Sequence, residues 1–364
     1  MCGLNAFKQV EEYLVAKRRS VTIKEVAELA GVSQMTVSRV LNRAETVRQE
    51  TRTRVQSAIQ ELNYRPNLMA RHLAGGRTRL TGLLHDGAHS SELSELIVCA
   101  LQSCRDSGQQ LILEQIGPVE PMSPDMIDEA VSAIAAAGLD GLIVPPHLAN
   151  QSRLIDRLSE LPLTLVVLGG TRADERFARI SHHDRAGGFE LTSLLVRNGH
   201  KRIGFVADQS EGESEQDRLA GYRDALMHHN IPFEDKLIAT AEVSLRGGVD
   251  AGRALIGHSD RPTAIIGATD KLAAGVVSAA HLEGLKVPFD LSVVGFGDTE
   301  AAGAVWPQLT TIRRPLSRMV ELAVDYLAKS GFPDDVDGAE LVTPQHLNIN
   351  TIDLIERDSV AASG

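Results

Sequence analysis

The chain has 364 residues, 43% hydrophobic and 23% charged, too long for one ordinary domain and too apolar for a disordered polymer, so a head and a large core are expected. No run of eighteen apolar residues occurs, and the first twenty alternate charges (Glu11, Glu12, Lys17, Arg18, Arg19) without an apolar signal core, which predicts a soluble, cytoplasmic protein. Residues 1–80 hold 14 Lys+Arg against 7 Glu and no Asp, a net of +7, and the remainder holds 23 Lys+Arg against 41 Asp+Glu, a net of −18, so a basic head suited to phosphates precedes an acidic body.

An N-terminal extension (1–20) leads into a predicted head over 21–64. Thr22-Ile23-Lys24-Glu25 is a Thr-x-x-Glu capping box that starts a helix with Ile23, Val26, Ala27 and Ala30 on one face, and Gly31 ends it. Ser33 caps a second helix over 34–41, with Val37, Val40 and Leu41 inward and Gln34, Met35, Ser38 and Arg39 outward. A third helix, about Thr51–Leu62, sets Val55, Ile59 and Leu62 against the other two. The tight glycine turn between the first two is a helix-turn-helix arrangement.

The stretch VTIKEVAELAGVSQMTVSRVLNRAETVRQETRTRVQSAIQELNYRPN, followed by LAGG, resembles the head of the lactose-repressor (LacI) family of bacterial regulators. The match runs without a gap from Val21 to about Ala74 and in weaker form to about Pro315, and its specific part is AGVSxxTVSRVLN followed by LNYxPN. Physically, the outer face of the second helix suits the major groove. There Arg39 would donate two bonds to guanine O6 and N7, with Gln34 and Met35 as variable readers, Met35 against a thymine methyl. Thr22, Ser33, Thr36, Ser38 and Asn42 are short polar groups placed for phosphates, which fix register but carry no sequence information; the plainer alternative is that they only cap and cover helices.

Next comes a hinge and linker over 65–79. Pro66 disfavours helix at Arg65 and lets Asn67 cap a short helix, Leu68–Leu73, which Gly75-Gly76 breaks. Under two turns long, it would need partners to persist. The resemblance implies that two such helices from a dimer pair in the minor groove, with Ala70 allowing close approach and Leu73 wedging into a base step. A flexible linker is the alternative reading of GGRT.

From 80 to 350, apolar runs (LTGLLH, QLILEQI, DGLIVPP, LTLVVLG, RIGFVAD, TAIIGAT, LSVVGFG) alternate with helical segments near 92–106, 124–137, 151–158, 185–198, 213–229 and 271–283. Repeated βαβ units of this kind make an α/β core of doubly wound parallel sheets, long enough for two lobes with a ligand cleft beyond the strands' carboxyl ends. The resemblance implies a type I periplasmic-binding-protein-like core: lobe 1 about 80–180 and 310–340, lobe 2 about 181–308 and 341–355, with a tail over 351–364. The crossings are expected near Ile180, Leu309 and Leu341. It also implies that Arg218, in Arg-Leu-Ala-Gly-Tyr, grips an effector's hydroxyls or carboxylate, joined by Thr269, Asp270, Phe296 and Asp298. Gly297 departs from the family pattern, in which many members carry an aspartate, and Thr269 stands where many carry asparagine. The effector class that the resemblance implies is carbohydrate.

Other chemistries find little support. Cys2, Cys99 and Cys104 have no zinc or CxxC spacing, and the pairs His182-His183 and His228-His229 have no ligand spacing and are expected to point apart, so no metal or cofactor is predicted. Gly295-Phe-Gly297 lacks the third glycine of a dinucleotide fingerprint, and neither GxSxG nor a P-loop occurs. The reading is a non-enzymatic, nucleoid-associated repressor that binds a palindromic operator as a homodimer under effector control. The ending IERDSVAASG lacks the apolar heptads of a tetramerisation tail. The alternative is a two-lobed binding protein or enzyme whose head serves another role.

Overall fold

The computed structural model describes residues 21–42, 47–62, 64, 79–87, 91–117, 123–149, 151–170, 174–209, 212–330 and 346–363. The chain divides into a head unit that ends at Thr78 and a core unit that starts at Arg79.

In the head, α1 (Ile23–Ala30), α2 (Gln34–Asn42) and α3 (Gln49–Glu61) enclose one small core of Val26, Ala27, Ala30, Val37, Val40, Val55 and Ala58. The capping box at Thr22 is complete: Thr22 N–H donates to the Glu25 carboxylate at 2.7 Å and Glu25 N–H donates to Thr22 Oγ1 at 3.4 Å. Gly31 ends α1 in the left-handed region at φ 65°, which turns the chain sharply enough for α2 to start three residues later.

The core holds two six-stranded sheets. Along the chain come β1 (Leu80–His85), α4 (Ser91–Asp106), β2 (Gln110–Gln115), α5 (Pro124–Ala136), β3 (Gly141–Val144), α6 (Ser152–Ser159), β4 (Thr164–Leu168) and β5 (Ala178–His182). Then follow α7 (Asp184–Arg197), β6 (Ile203–Asp208), α8 (Glu213–His228), β7 (Ile238–Ala241), α9 (Leu245–Ile256), β8 (Ala264–Gly267), α10 (Asp270–Leu282), β9 (Ser292–Gly297), α11 (Glu300–Ala304) and β10 (Thr310–Arg313). Last are α12 (Leu316–Ser330), β11 (His346–Ile349) and β12 (Asp353–Ile355).

The first sheet runs β11-β5-β4-β3-β1-β2 and the second β12-β10-β9-β8-β6-β7, parallel throughout except that β12 pairs antiparallel to β10. Both faces of the first sheet are covered: Leu83 and Ile143 pack among α4 and α12 residues, while Leu84, Leu142 and Val144 pack among α5 and α6 residues. Burial on both faces is why these strands read as unbroken apolar runs.

The lobe boundaries differ from expectation at two places. Residues 310–313 belong to the second sheet, because Ile312 continues the ladder beside Phe296, and the chain leaves that lobe only at Arg314-Pro315. Residues 346–349 belong to the first sheet, paired with β5, so the last crossing falls between Ile349 and Asp353. The first crossing follows His182, and Leu341 lies outside the described residues. The C-terminal residues are likewise part of lobe 2: buried Ser359 accepts a bond from Thr310 N–H at 2.9 Å, and Ala361 O lies 3.0 Å from the His200 ring.

Candidate functional site

On the head, α2 separates its residues cleanly. Val37 and Val40 are buried, while Gln34, Met35 (66% exposed) and Arg39 face outward. Ser33 Oγ accepts from Thr36 N–H at 3.1 Å and meets Thr36 Oγ1 at 2.9 Å, and Thr22 Oγ1 donates to Glu25 at 2.9 Å. Thr22 and Ser33 therefore cap their helices, and Thr36 shares the Ser33 cap through its hydroxyl. Ser38 is half-buried. The side chain of Asn42, and all of Asn67, Ala70 and Leu73, lie outside the described residues.

In the core, the site is built between the lobes. Helices α7 and α8 approach backbone to backbone: a Cβ at Gly221 would lie 1.9 Å from Arg185 O, and one at Gly188 would lie 2.3 Å from Arg218 O. That closeness sets Arg218 over Asp184, the first residue of α7. Arg218 Nε donates to Asp184 Oδ1 at 2.8 Å, Nη1 donates to Ala268 O at 2.7 Å, and the guanidinium lies 4.6 Å from the Phe296 ring centroid. His182 stacks on the other side of the same constellation, with its ring centroid 6.2 Å from that of Phe296 and its Nε2 3.5 Å from Asp184 Oδ2.

Lobe 1 contributes Glu92 from the start of α4 and His147, which lies 3.6 Å from Asp86. Glu92 accepts from Arg314 Nη2 at 2.6 Å, a contact between lobe 1 and the crossing segment after β10. Burial alone would raise the Glu92 and Asp184 carboxyls, yet both are held below the usual carboxylate range, Glu92 chiefly by Arg314 and Asp184 chiefly by Arg218. At His182 burial prevails and lowers it below an ordinary histidine, with Asp184 opposing. Glu215, one turn before Arg218 on α8, is pushed up to about 7 by burial, which Arg218 at 3.7 Å only partly offsets.

Of the residues nominated from sequence, Arg218 and Phe296 meet. Thr269, Asp270 and Asp298 are engaged elsewhere. Thr269 Oγ1 caps α10 by accepting from Leu272 N–H at 3.3 Å. Asp270 is fully buried and accepts from Thr311 Oγ1 at 2.6 Å, Thr299 N–H at 2.7 Å and Thr299 Oγ1 at 3.0 Å. Asp298, at φ 52°, accepts from Arg313 Nε at 2.7 Å and Arg357 Nη2 at 2.5 Å. All three side chains are thus spent on local bonds, Thr269 on the start of α10 and Asp270 and Asp298 on β10 and the segments after β9 and β12.

Asp184, Glu215, Glu92, Arg314 and His182 were not nominated. Glu215 was within reach of the sequence, since its three-residue spacing puts it on the same helical face as Arg218; Glu92 and Arg314 are 222 residues apart and meet only through the fold. The histidine pairs also divide. His183 bonds Asn350 while His182 turns inward, but His228 and His229 approach to 4.9 Å between centroids rather than pointing apart, because His229 caps α8 outside helical geometry.

Comparison with known proteins follows the same division. Residues 22–67 match the bacterial regulatory proteins of the lacI family, and residues 192–360 match the periplasmic binding protein-like domain. The HTH-type transcriptional regulator AscG of Escherichia coli (strain K12) is 30% identical over 348 residues, covering 94% of this chain and 98% of that protein. The chain belongs to the lacI family of bacterial regulatory proteins. The ribose operon repressor of the same organism is 32% identical over 307 residues, 84% of this chain and 92% of the relative. A structure of the lac repressor dimer bound to operator and the anti-inducer ONPF matches with TM-score 0.71 and 27% identity, over 94% of this chain and 100% of that one. This lacI-family member is a DNA-binding transcriptional regulator with a helix-turn-helix head and a two-lobed sensing core. Among the described residues, no helix is long and apolar enough to cross a membrane.

Proposed function

We propose that this regulator binds a palindromic operator as a homodimer, each head laying α2 in a major groove, with a carbohydrate or related metabolite held between the lobes setting operator affinity. The observation that carries the reading is the exposed face of α2, where Arg39, Gln34 and Met35 stand clear of a packed apolar core. Arg39 reads guanine, Gln34 and Met35 read variable bases, and Thr22, Ser33, Thr36, Ser38 and Asn42 set register on phosphates. Asn67, Ala70 and Leu73 act in the minor groove through the paired hinge.

In the core, Arg218 and Phe296 touch the effector, and Thr269, Asp270 and Asp298 hold the loops that present them. Trp306 and Phe289, 78% and 80% exposed on lobe 2, are large apolar side chains that suit a self-complementary contact. The core binds its ligand without transforming it, and the protein works on the chromosome.

Selection of sites from random duplexes, followed by titration against salt, tests this. Log affinity for the selected palindrome should fall linearly with log salt, and Arg39→Ala should cost about 1–3 kcal/mol while flattening preference at one symmetric pair of positions. Failure to enrich any symmetric sequence would sink the reading.

A further inference from the structure

The arrangement between the lobes has more to say about which ligands enter. Glu215 is over nine-tenths buried, and neither of its carboxylate oxygens has a partner in full hydrogen-bond geometry among the described residues; the Asp208 backbone and Arg218 Nη1, 3.7 Å away, favour its ionised form only in part. Glu92 uses Oε2 on Arg314, and its Oε1 is buried without a partner. In the same constellation the unpartnered buried donor is Arg314 Nε. Among the described residues of this constellation, unpartnered buried acceptors therefore outnumber donors three to one. The cations are also already matched, Arg218 by Asp184 at 2.8 Å and Arg314 by Glu92 at 2.6 Å.

Resting on the effector-site reading above, we propose that Glu215 and Glu92 are specificity-determining residues that accept hydrogens from the ligand, so that the site admits uncharged or amine-bearing hydroxylated molecules and rejects phosphorylated or carboxylated ones. An O–H or N–H group completes the three carboxylate oxygens that have no hydrogen-bond partner among the described residues. Among the described residues, a phosphate would meet Arg218 and Arg314 already paired and would face Asp184, Glu92 and Glu215 together. Charged hydrogen bonds of this kind also discriminate strongly, since an analogue that lacks the donor leaves the acceptor buried and bare.

The groups facing Glu215 are Arg218 on its own helix, Asp208 at the end of β6 and Asp184 at the start of α7. With its carboxyl pushed up to about 7 by burial, a ligand donor that favours the ionised form binds more tightly as pH rises through neutrality.

Matched pairs test the idea: ribose and ribose 5-phosphate, glucose and glucose 6-phosphate, glucosamine and glucosamine 6-phosphate, with glucuronate added, screened by thermal shift and then by calorimetry on the full-length protein. At least one unphosphorylated probe should raise the melting temperature, and its charged counterpart should not. For that probe, Glu215→Gln and Glu92→Gln should each weaken affinity about tenfold. The wild-type affinity should rise from pH 6 to pH 8 and be flat in Glu215→Gln; should that variant not fold, Glu92→Gln and the wild-type pH profile carry the test. A phosphorylated or carboxylated probe binding as well as its neutral partner, silence from every unphosphorylated probe, or unchanged affinity in the folded variants would overturn it. Operator binding measured on the same preparations separates the two levels: its loss strikes the regulator reading, whereas its persistence alongside reversed selectivity strikes only this inference.

Discussion

Glu215 carries a second consequence, for stability. Its carboxyl sits near pH 7 in the folded chain against an ordinary 4.5, so the folded state holds the extra proton between those values. Stability should therefore decline as pH rises from about 4.5 to 7 and stay reduced above, by about 3 kcal/mol. Glu215→Gln removes the titration, so its stability relative to wild type should improve by about that amount between pH 4.5 and pH 8 in urea melts; parallel curves would contradict a carboxyl whose burial outweighs its partners. Asp184 behaves oppositely. It is the buried counter-ion of Arg218, with side-chain exposures of 4% and 11%, and Asp184→Ala strands the guanidinium. The expected loss is about 3–5 kcal/mol at neutral pH, read from the denaturation midpoint. At this scale the sequence showed Arg218 through its motif but could not show Asp184. A carboxylate acquires a role in the site only once α7 and α8 are packed against each other.

Elements were more legible than their partners. The capping box, Gly31 and the inward valines of α2 were readable because caps, left-handed turns and helical faces are local properties, decided within four residues. Gly31→Ala tests the turn: a Cβ at φ 65° should cost the head about 1–2 kcal/mol, seen as a lower melting temperature of the head, with the core transition unmoved. Strands β5, β7, β10, β11 and β12 escaped sequence analysis because ARISH, IATA, TTIR, HLNI and DLI lack the unbroken apolar run that made the equally short β3 and β8 readable. The close packing of α7 and α8 was equally hidden, since Gly188 and Gly221 look like ordinary helix-weakening glycines until the facing carbonyls are seen. Gly221→Ala should force the helices apart at Arg185 O, displace Arg218 from Asp184 and lower effector affinity by at least tenfold while leaving operator affinity of the unliganded protein unchanged.

For the whole molecule, the order of the parts was visible in charge and periodicity, but the crossings were not. A crossing is fixed by which sheet a strand joins, and Thr310–Arg313 and His346–Ile349 carry no sequence mark of their sheet. The described crossings place Glu92 of lobe 1 against Arg314 on a crossing segment, near Arg218 of lobe 2, so a ligand there would touch both lobes and the chain between them. Any ligand that binds one inter-lobe arrangement better than another must shift the population of arrangements by its differential affinity. Linkage then fixes a relation whatever the sign of regulation. The factor by which the ligand changes operator affinity must equal the factor by which operator changes ligand affinity, typically 5–150-fold. Measured on the tightest unphosphorylated probe and the selected palindrome, the two factors should agree within error. Arg218→Ala should bring both to unity through loss of ligand binding, with operator affinity of the free protein retained, because Arg218 lies in the core unit and the base-reading face lies in the head. A variant that lost both activities together would mean that Arg218 supports the fold of the core rather than its conversation with DNA.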